Sequence, residues 1–392
     1  MRNRYVVLNR KLIPPSVLAL AAVLACSAGC TRRVEAEDRN DRKIDIAGDP
    51  PVSGFYDPSL QYSRDGETGW LVYSSVKGAE RPFGPYVHTH LAKSADHGAT
   101  WRYVLEVNTS SDALLHMPDG QSLPGVWRYE VPSLVYTPGD TGKEWKLFTH
   151  RYFWSPQGGS MFAYGWIAYR WASDPAGTWS QELPLFGAGQ FPPAPYHVNR
   201  VDLNTFDSTL LDVVAYTEPG ALYKDGTIYL TLTAARRDGP GQIVLIASAD
   251  QGNTWTFVRT LLTRADARTF RYQYLDGSSL AEEDGRVFLF AVPGGRSLMH
   301  AGTWIFQFDN LAEGRLHRDS NGRLAITKRI LPQAAILSGP GAGQSTYHRL
   351  NSGGGIVFPQ FNLSAYPEVF QLFNTHQRIV DPGSTSENDP AN

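Results

Sequence analysis

The stretch YTEPGALYKDGTIYLTLTA, residues 216–234, has the pattern of a β-hairpin that opens with a carboxylate. Glu218 precedes a proline at its start, an Asp-Gly pair is typical of a tight turn, and apolar and polar residues alternate on both sides. Three other stretches have the same organisation and open with Asp57, Glu130 and Asp276. We therefore expect four hairpins, each with an acidic residue at the start of its first strand.

The composition is that of a large protein with many turns. The chain has 392 residues, of which 42% are apolar and 12% aromatic, with 37 Gly and 26 Pro. That balance favours an all-β fold, and no window has the pattern of a long amphipathic helix. The formal net charge is -2 at pH 7. Nothing in this charge suggests a nucleic-acid partner.

The N-terminus has the features of an export signal. Basic residues precede an apolar run, residues 13–25, which is too short for a stable transmembrane helix. The run ends in VLAC at Cys26, and SAGC follows with Cys30. Both tetrapeptides resemble the lipobox of bacterial lipoproteins, in which a small residue precedes a lipid-modified cysteine. The resemblance implies a protein of the bacterial envelope, either periplasmic or at the cell surface. Its lipid anchor would be attached to Cys26 or alternatively to Cys30. The other interpretation is an ordinary cleaved signal peptide without a lipid anchor.

Four segments follow from these patterns. We expect a lipoprotein signal peptide at residues 1–25, a charged tether at 26–50, a folded β domain at 51–380 and a disordered tail at 381–392. Both cysteines of the chain lie near the N-terminus, so the folded domain has no disulfide. We expect a monomer whose contact with the membrane is made by the lipid alone.

A second repeat lies inside the hairpin repeat. SADHGATW (94–101) and SADQGNTW (248–255) share the pattern S-x-D-x-G-x-T-W, and SDPAGTW (173–179) is a shorter version. In such a turn the aspartate accepts backbone hydrogen bonds, the glycine takes an unusual backbone angle, and the tryptophan packs between sheets. These stretches resemble the Asp-box (BNR repeat) of bacterial sialidases and related β-propellers. We expect them to be structural.

The spacing of the hairpins predicts the architecture. They open at intervals of roughly 60 to 90 residues, enough for four strands with long loops. A fifth opening, residues 344–358, has lost its acid. We therefore predict a five-bladed β-propeller, with the six-bladed sialidase type as the alternative. Because turns alternate between the two ends of the disc, the acids should lie at the end opposite the Asp-box turns.

Three acids come from successive units and would converge in one funnel. Glycoside hydrolysis needs this arrangement, with one carboxylate as base or nucleophile and one carboxylic acid as proton donor. The pattern resembles five-bladed glycoside hydrolases of families 43, 32 and 117. That resemblance implies Asp57 as base or nucleophile, Glu130 as the residue that modulates the donor, and Glu218 as the general acid. Those families usually have Asp at the position of Glu130.

Arginines in the loops after the second strands, aromatic loop residues and the in-register acid Asp276 would bind the substrate, a carbohydrate. The expected set comprises Arg81, Arg151, Arg236, Asp276, Trp127 and Trp154, since guanidinium groups bind carboxylates and flat rings stack on sugars. An arginine cluster holds the sugar acid in sialidases. A sialidase-like exo-glycosidase with a tyrosine nucleophile is thus one alternative, and a non-catalytic glycan- or protein-binding propeller is another.

We expect no cofactor and no metal centre. His88 and His90 alternate on one strand but lack a third ligand at a metal-binding spacing. The stretch SGPGAGQSTYHRL, residues 338–350, resembles the GPGH turn that supplies a calcium-binding histidine in family 43. A structural calcium is the alternative that this resemblance implies, although residues 342–344 follow the GPG here.

Overall fold

The computed structural model describes residues 36–78, 86–188, 201–295, 300–334 and 341–380. Most of these residues lie in antiparallel sheets built from consecutive strands, so the prediction of an all-β fold is confirmed. None of the helices in these ranges has the length and the apolar character that crossing a bilayer requires.

The strands are as follows. The N-terminal pair is β1 (Arg42–Lys43) and β2 (Ile46–Ala47). Blade 1 has β3 (Gly54–Tyr62), β4 (Gly69–Lys77), β5 (Tyr86–Ser94) and β6 (Trp101–Asn108). Blade 2 has β7 (Ser111–His116), β8 (Ser122–Tyr136), β9 (Trp145–Ser155), β10 (Gly159–Ala172), β11 (Leu183–Gly187) and β12 (Val201–Asp202). Blade 3 has β13 (Ala215–Lys224), β14 (Thr227–Arg236), β15 (Gly239–Ser248) and β16 (Thr256–Thr263).

The remaining elements complete the ring. Blade 4 has β17 (Tyr274–Glu283), β18 (Arg286–Gly294), β20 (Thr303–Asn310), β21 (Arg315–Leu316) and β22 (Lys328–Ile330), with β19 (His300–Ala301) between β18 and β20. Blade 5 contains β24 (Val357–Phe361) and β25 (Phe370–Asn374), and β23 (Gly341–Ala342) pairs with β19. One α-helix, α1 (Arg264–Thr269), and 3-10 turns at Leu203–Thr205, Ser208–Leu210 and Leu363–Ala365 lie in the connections.

Hydroxyl groups on the strands nearest the axis connect each blade to the next. The backbone N–H groups of Leu60, Leu134 and Ala221 donate to the hydroxyls of Thr346, Ser59 and Ser133 at 3.2, 3.0 and 2.8 Å. Ser278 donates to the Thr231 hydroxyl at 2.9 Å, and Ser279 donates to the Ser345 carbonyl at 2.6 Å. The described residues thus contain five interfaces in a closed ring, which is the five-bladed arrangement.

Both ends of the described chain contribute to the fifth blade. Strand β1 pairs with β25, and β25 meets β3 of blade 1 through the single pair Phe370 and Gly54. The predicted tether therefore does not extend to residue 50. Ile44 and Ile46 are buried in a core cluster, and two apolar residues in a charged stretch suffice to dock it. The rest of the tether to residue 35, the signal peptide and the tail lie outside the described residues.

The turns at residues 94–101 and 248–255 have the expected geometry. Asp250 accepts hydrogen bonds from the Ser248 hydroxyl and from the backbone and hydroxyl of Thr254, at 2.8, 2.8 and 2.6 Å. The Thr254 hydroxyl bond is the main reason that the Asp250 pKa is lowered to about 2. Gly252 has a φ of +92°, and Trp255 packs against two phenylalanines of blade 2. These residues stabilise the packing between blades.

Candidate active site

An irregularity recurs near the start of the inner strand in blades 1 to 4. The antiparallel register shifts there, and one residue has a positive φ: Asp57 at 49°, Val131 at 50°, Glu218 at 55° and Gly277 at 48°. Such bulges re-aim side chains at sheet ends. A positive φ is costly for residues other than glycine, above all for a β-branched valine, and such strain is concentrated at functional sites.

The acids occupy two different positions at these bulges. Asp57 and Glu218 have the positive φ themselves, whereas Glu130 and Asp276 come one residue before it. The sequence pattern treated all four as equivalent. The structure instead alternates them between neighbouring blades, so that adjacent acids enter the funnel from different backbone positions.

The structure brings four carboxyls together, those of Asp57, Glu130 and Glu218 and that of Asp276, which the sequence analysis gave as a substrate-binding residue. Burial raises the pKa of Glu218 well above its usual value, and the charges of Asp276, Asp57 and Glu130 raise it further, in that order. Burial and then the charge of Glu130 do the same for Asp57. Like charges act in this way when they lie close together. Glu130, Glu218 and Asp276 remain partly exposed, so a ligand can reach the cluster.

Asp57 and Glu218 have different surroundings within the cluster. The Ser74 hydroxyl donates to Asp57 Oδ2 at 3.3 Å and itself accepts from the Val131 amide at 3.2 Å. Ser74 and the Val131 amide both favour the charged form of this carboxylate and so lower its pKa, against the effect of burial. The Glu218 carboxyl has no hydrogen-bond donor among the described residues. The two carboxyls therefore differ in their surroundings: hydrogen bonding opposes protonation of Asp57, and no such donor opposes it at Glu218 among the described residues.

Two residues that the sequence analysis missed contact Glu130. The Tyr152 hydroxyl donates to Glu130 Oε1 at 2.5 Å, and Arg128 Nη1 lies 3.8 Å from the same oxygen. Arg128 is 6% exposed and stacks on Trp154 at 4.6 Å, which brings the predicted Trp154 to the edge of the site. The signal was present in the segment 128–130, because residues two apart on a strand project to the same face.

Blades 4 and 5 complete the funnel with groups that have no charge at neutral pH. Gln344 is 3% exposed, and its Nε2 donates to the Ser278 carbonyl at 2.9 Å. Burial lowers the pKa of His300, and the charge of nearby Asp276 acts in the opposite direction. The sequence analysis identified neither residue as part of the site, although residue 344 begins the fifth opening, which has lost its acid.

The expected roles of Arg151 and Trp127 are wrong. Arg151 pairs across the strands with Tyr129, whereas Glu130 pairs with His150, so Arg151 lies on the opposite face of the sheet from Glu130. Its guanidinium binds Glu182 at 2.7 Å and lies 5.2 Å from the Trp127 ring. Trp127 is 6% exposed and belongs to a core cluster.

Arg236 is also separate from the acid cluster. It donates to the Thr209 carbonyl at 3.1 Å and lines a cleft of about 850 Å³ beside blade 3. No carboxyl of the cluster lines this cleft. Arg81 lies outside the described residues.

His88 and His90 belong to a network of ion pairs. His90 Nδ1 lies 2.5 Å from Asp49 Oδ2, its Nε2 lies 3.3 Å from Glu106, and His88 Nδ1 lies 3.0 Å from Glu106. Within the described ranges, no group of three or more His, Cys, Asp or Glu side chains has the geometry to hold a metal ion.

No family model and no curated protein sequence matches this chain. Solved structures do. An exo-β-1,3-galactanase from Clostridium thermocellum matches with a TM-score of 0.52 and 12% identity over 86% of this chain and 61% of that one. A GH43_12 protein from a capybara gut metagenome matches with 0.51 and 15%, over 86% of this chain and 53% of that one. Zg3597, a family 117 glycoside hydrolase from Zobellia galactanivorans, matches with 0.50 and 13%, over 88% and 93%.

These neighbours establish the fold as the propeller of family 43-type glycoside hydrolases. The chain spans less than two thirds of the length of the galactanase and of the GH43_12 protein.

Proposed function

We propose that this protein hydrolyses a glycosidic bond, with Glu218 as the proton donor and Asp57 as the base or nucleophile. The observation that carries this proposal is the cluster of four carboxyls in which hydrogen bonds favour the charged form of Asp57, while no described residue donates to Glu218. Two carboxyls with opposite protonation states are the requirement of this reaction. The glycoside hydrolase identity of the structural neighbours supports it.

The chemistry follows from these environments. Glu218 donates its proton to the glycosidic oxygen as the bond to the leaving group breaks. Asp57 either attacks the anomeric carbon or activates a water molecule on the other side of the sugar ring. Positive charge develops on the sugar in the transition state, and the carboxylates of Glu130 and Asp276 stabilise it because they are already in place.

The residue assigned to keep the proton donor Glu218 protonated is Asp276 and not Glu130. The sequence resemblance implied that Glu130 modulates Glu218, but the Asp276 charge has the larger effect on the Glu218 pKa, and Glu130 acts mainly on Asp57. We therefore assign Asp276 to keep Glu218 protonated. Glu130, held by Tyr152 and Arg128, acts on Asp57.

The charge of the cluster also indicates the kind of sugar that it accepts. Four carboxyls face the funnel, and Arg128 is the cation that the structure places beside them. A carboxylate on the sugar being cleaved would be repelled. We infer an uncharged sugar at the point of cleavage, with the Trp154 ring available for stacking at the edge.

A second candidate rests on the Tyr152 and Glu130 pair. A buried tyrosine hydroxyl that donates to a carboxylate at 2.5 Å is the arrangement that a sialidase-like mechanism uses for its nucleophile. That mechanism also needs an arginine triad, and Arg151 lies on the opposite face of the sheet. Burial raises the pKa of Tyr152, which makes it a poor nucleophile. The paired-carboxylate mechanism is therefore better supported.

The test is an activity screen of the purified soluble domain across aryl-glycosides and polysaccharides. Glu218→Gln and Asp57→Asn should each lower turnover by about 10²-fold or more, whereas Tyr152→Phe should retain most of it. Glu313→Gln, a substitution of an exposed residue, is the matched control. If Tyr152→Phe alone abolishes turnover, the sialidase-like mechanism is correct. Glycan binding without hydrolysis would instead identify a non-catalytic propeller.

We further propose export and lipid anchoring at Cys26 or Cys30. The support is the apolar run that ends at Cys26 and the small residues before each cysteine. An acyl chain supplies the apolar surface that membrane binding needs. The full-length protein should partition with membranes in a bacterial host, and the double Cys→Ser variant should not. Equal partitioning of both forms would exclude the anchor.

A further inference from the structure

Gln344 occupies in blade 5 the position that an acid occupies in blade 1. The Thr346 hydroxyl accepts a hydrogen bond from the next blade as the Ser59 hydroxyl does, so these two residues are equivalent around the ring. Two residues before them come Gln344 and Asp57. An amide therefore stands where the repeat would have placed a fifth carboxyl.

The orientation of this amide is determined by its anchor. Its Nε2 donates to the Ser278 carbonyl at 2.9 Å, and a flipped amide would bring two acceptor oxygens together. Its Oε1 is buried and has no hydrogen-bond partner among the described residues. A buried acceptor that stays unpaired destabilises the folded state. A donor that is present only in one protonation state would remove that cost.

The Glu218 carboxyl and the Gln344 amide oxygen lie beside the same glycine. A Cβ on Gly277 would lie 3.4 Å from Gln344 Oε1 and 3.5 Å from Glu218 Oε2. Both oxygens therefore lie beside the backbone of Gly277, in the space that a side chain would fill. A protonated Glu218 has one O–H to donate, and no hydrogen bond from the part of the chain that the structure describes holds its side chain away from the amide.

We propose that Gln344 is a positioning residue that holds the proton of the donor, because its side-chain oxygen accepts the hydrogen bond of the Glu218 carboxylic acid. This rests on the proposed role of Glu218. The bond stabilises the neutral form of Glu218, in the same direction as its burial and its acidic neighbours. It also aims the O–H, while the amide adds no fifth negative charge to the funnel.

Two substitutions at this position separate the amide oxygen from other roles. Gln344→Met keeps the length and apolar volume of the side chain and removes the acceptor. Gln344→Glu keeps the shape and adds a carboxylate. The readout is the titration of Glu218, followed by isotope-edited infrared spectroscopy of the protonated carboxyl stretch, which is identified by its loss in Glu218→Gln.

Opposite shifts are expected. Gln344→Met should move the Glu218 titration to lower pH by about one unit, the equivalent of one neutral hydrogen bond. Gln344→Glu should move it to higher pH, because a fifth like charge lies beside it. Circular dichroism confirms that each variant folds. A Glu218 titration that stays at the wild-type pH in either folded variant overturns the proposal.

The spectroscopic readout distinguishes this inference from the proposed function. It needs no substrate, so shifted titrations in a protein that cleaves no glycoside would leave the inference standing and refute the hydrolase. Conversely, hydrolysis by the wild type with unshifted titrations in the variants would refute the role of Gln344 alone. In an active enzyme, the basic limb of the pH–rate profile should follow the same two shifts.

Discussion

Replacing Glu218 by glutamine should stabilise the fold at neutral pH while it removes catalysis. Burial and three neighbouring carboxyls raise the pKa of Glu218 above its ordinary value of 4.5. At a pH between 4.5 and the raised pKa of the folded state, the folded protein holds a proton that the unfolded chain releases. The stability contributed by this group is therefore complete below about pH 4.5 and declines as the pH rises toward the folded pKa.

The magnitude follows from proton linkage. One proton held only by the folded state changes the free energy of unfolding by at most about 1.4 kcal/mol per pH unit. Glutamine has the same shape and no proton to lose. The stability advantage of Glu218→Gln should thus be near zero at pH 4 and increase with pH, up to this slope, until the wild-type carboxyl ionises.

Urea unfolding followed by tryptophan fluorescence at a series of pH values measures this difference. Glu313→Gln is the control, because Glu313 is exposed and pairs with the equally exposed Arg315; its effect should stay within about 0.5 kcal/mol at every pH. Parallel stability curves for Glu218→Gln and the wild type across the pH range would refute the reasoning. They would mean that the fold does not hold this proton.

Three further outcomes are expected. Gly54→Ala should lower the free energy of unfolding by about 2–6 kcal/mol, because its Cβ would lie 1.9 Å from the Phe370 carbonyl oxygen at a φ of +110°. Gly226→Ala, which has open space at its Cβ, should lower it by only about 1 kcal/mol. Equal losses of stability in the two variants would argue against ring closure at this contact. Asp250→Ala should lower the free energy of unfolding by about 1–3 kcal/mol with turnover unchanged, and lost turnover at full stability would place that turn in the site. Asp276→Asn should move the basic limb of the pH–rate profile to lower pH, because it removes the charge with the largest effect on the Glu218 pKa. A limb that does not move would show that Asp276 does not keep Glu218 protonated.

Local patterns in the sequence were enough to predict the architecture and the meeting of the acids. Period-two alternation, Asp-Gly turns and the repeated S-x-D-x-G-x-T-W boxes each depend on residues a few positions apart, and their spacing gave the number of blades. The convergence of Asp57, Glu130 and Glu218 followed because equivalent positions of successive blades meet around the axis. No knowledge of side-chain direction was needed for that step.

Side-chain direction and long-range contacts were decided by the tertiary structure. Arg128 lies on the same face of the sheet as Glu130, whereas Arg151 lies on the opposite face. A shift of one residue in the strand pairing would exchange the two faces. Bulges shift that register near the start of the inner strands, and the alternation of residue types along the chain does not reveal them. Gln344 and Glu218 come near the same glycine, Gly277, although more than a hundred positions separate them in the chain, because blades 3 and 5 both pack against blade 4. A pattern read along the chain contains the period of a strand but not the partner that its side chains meet.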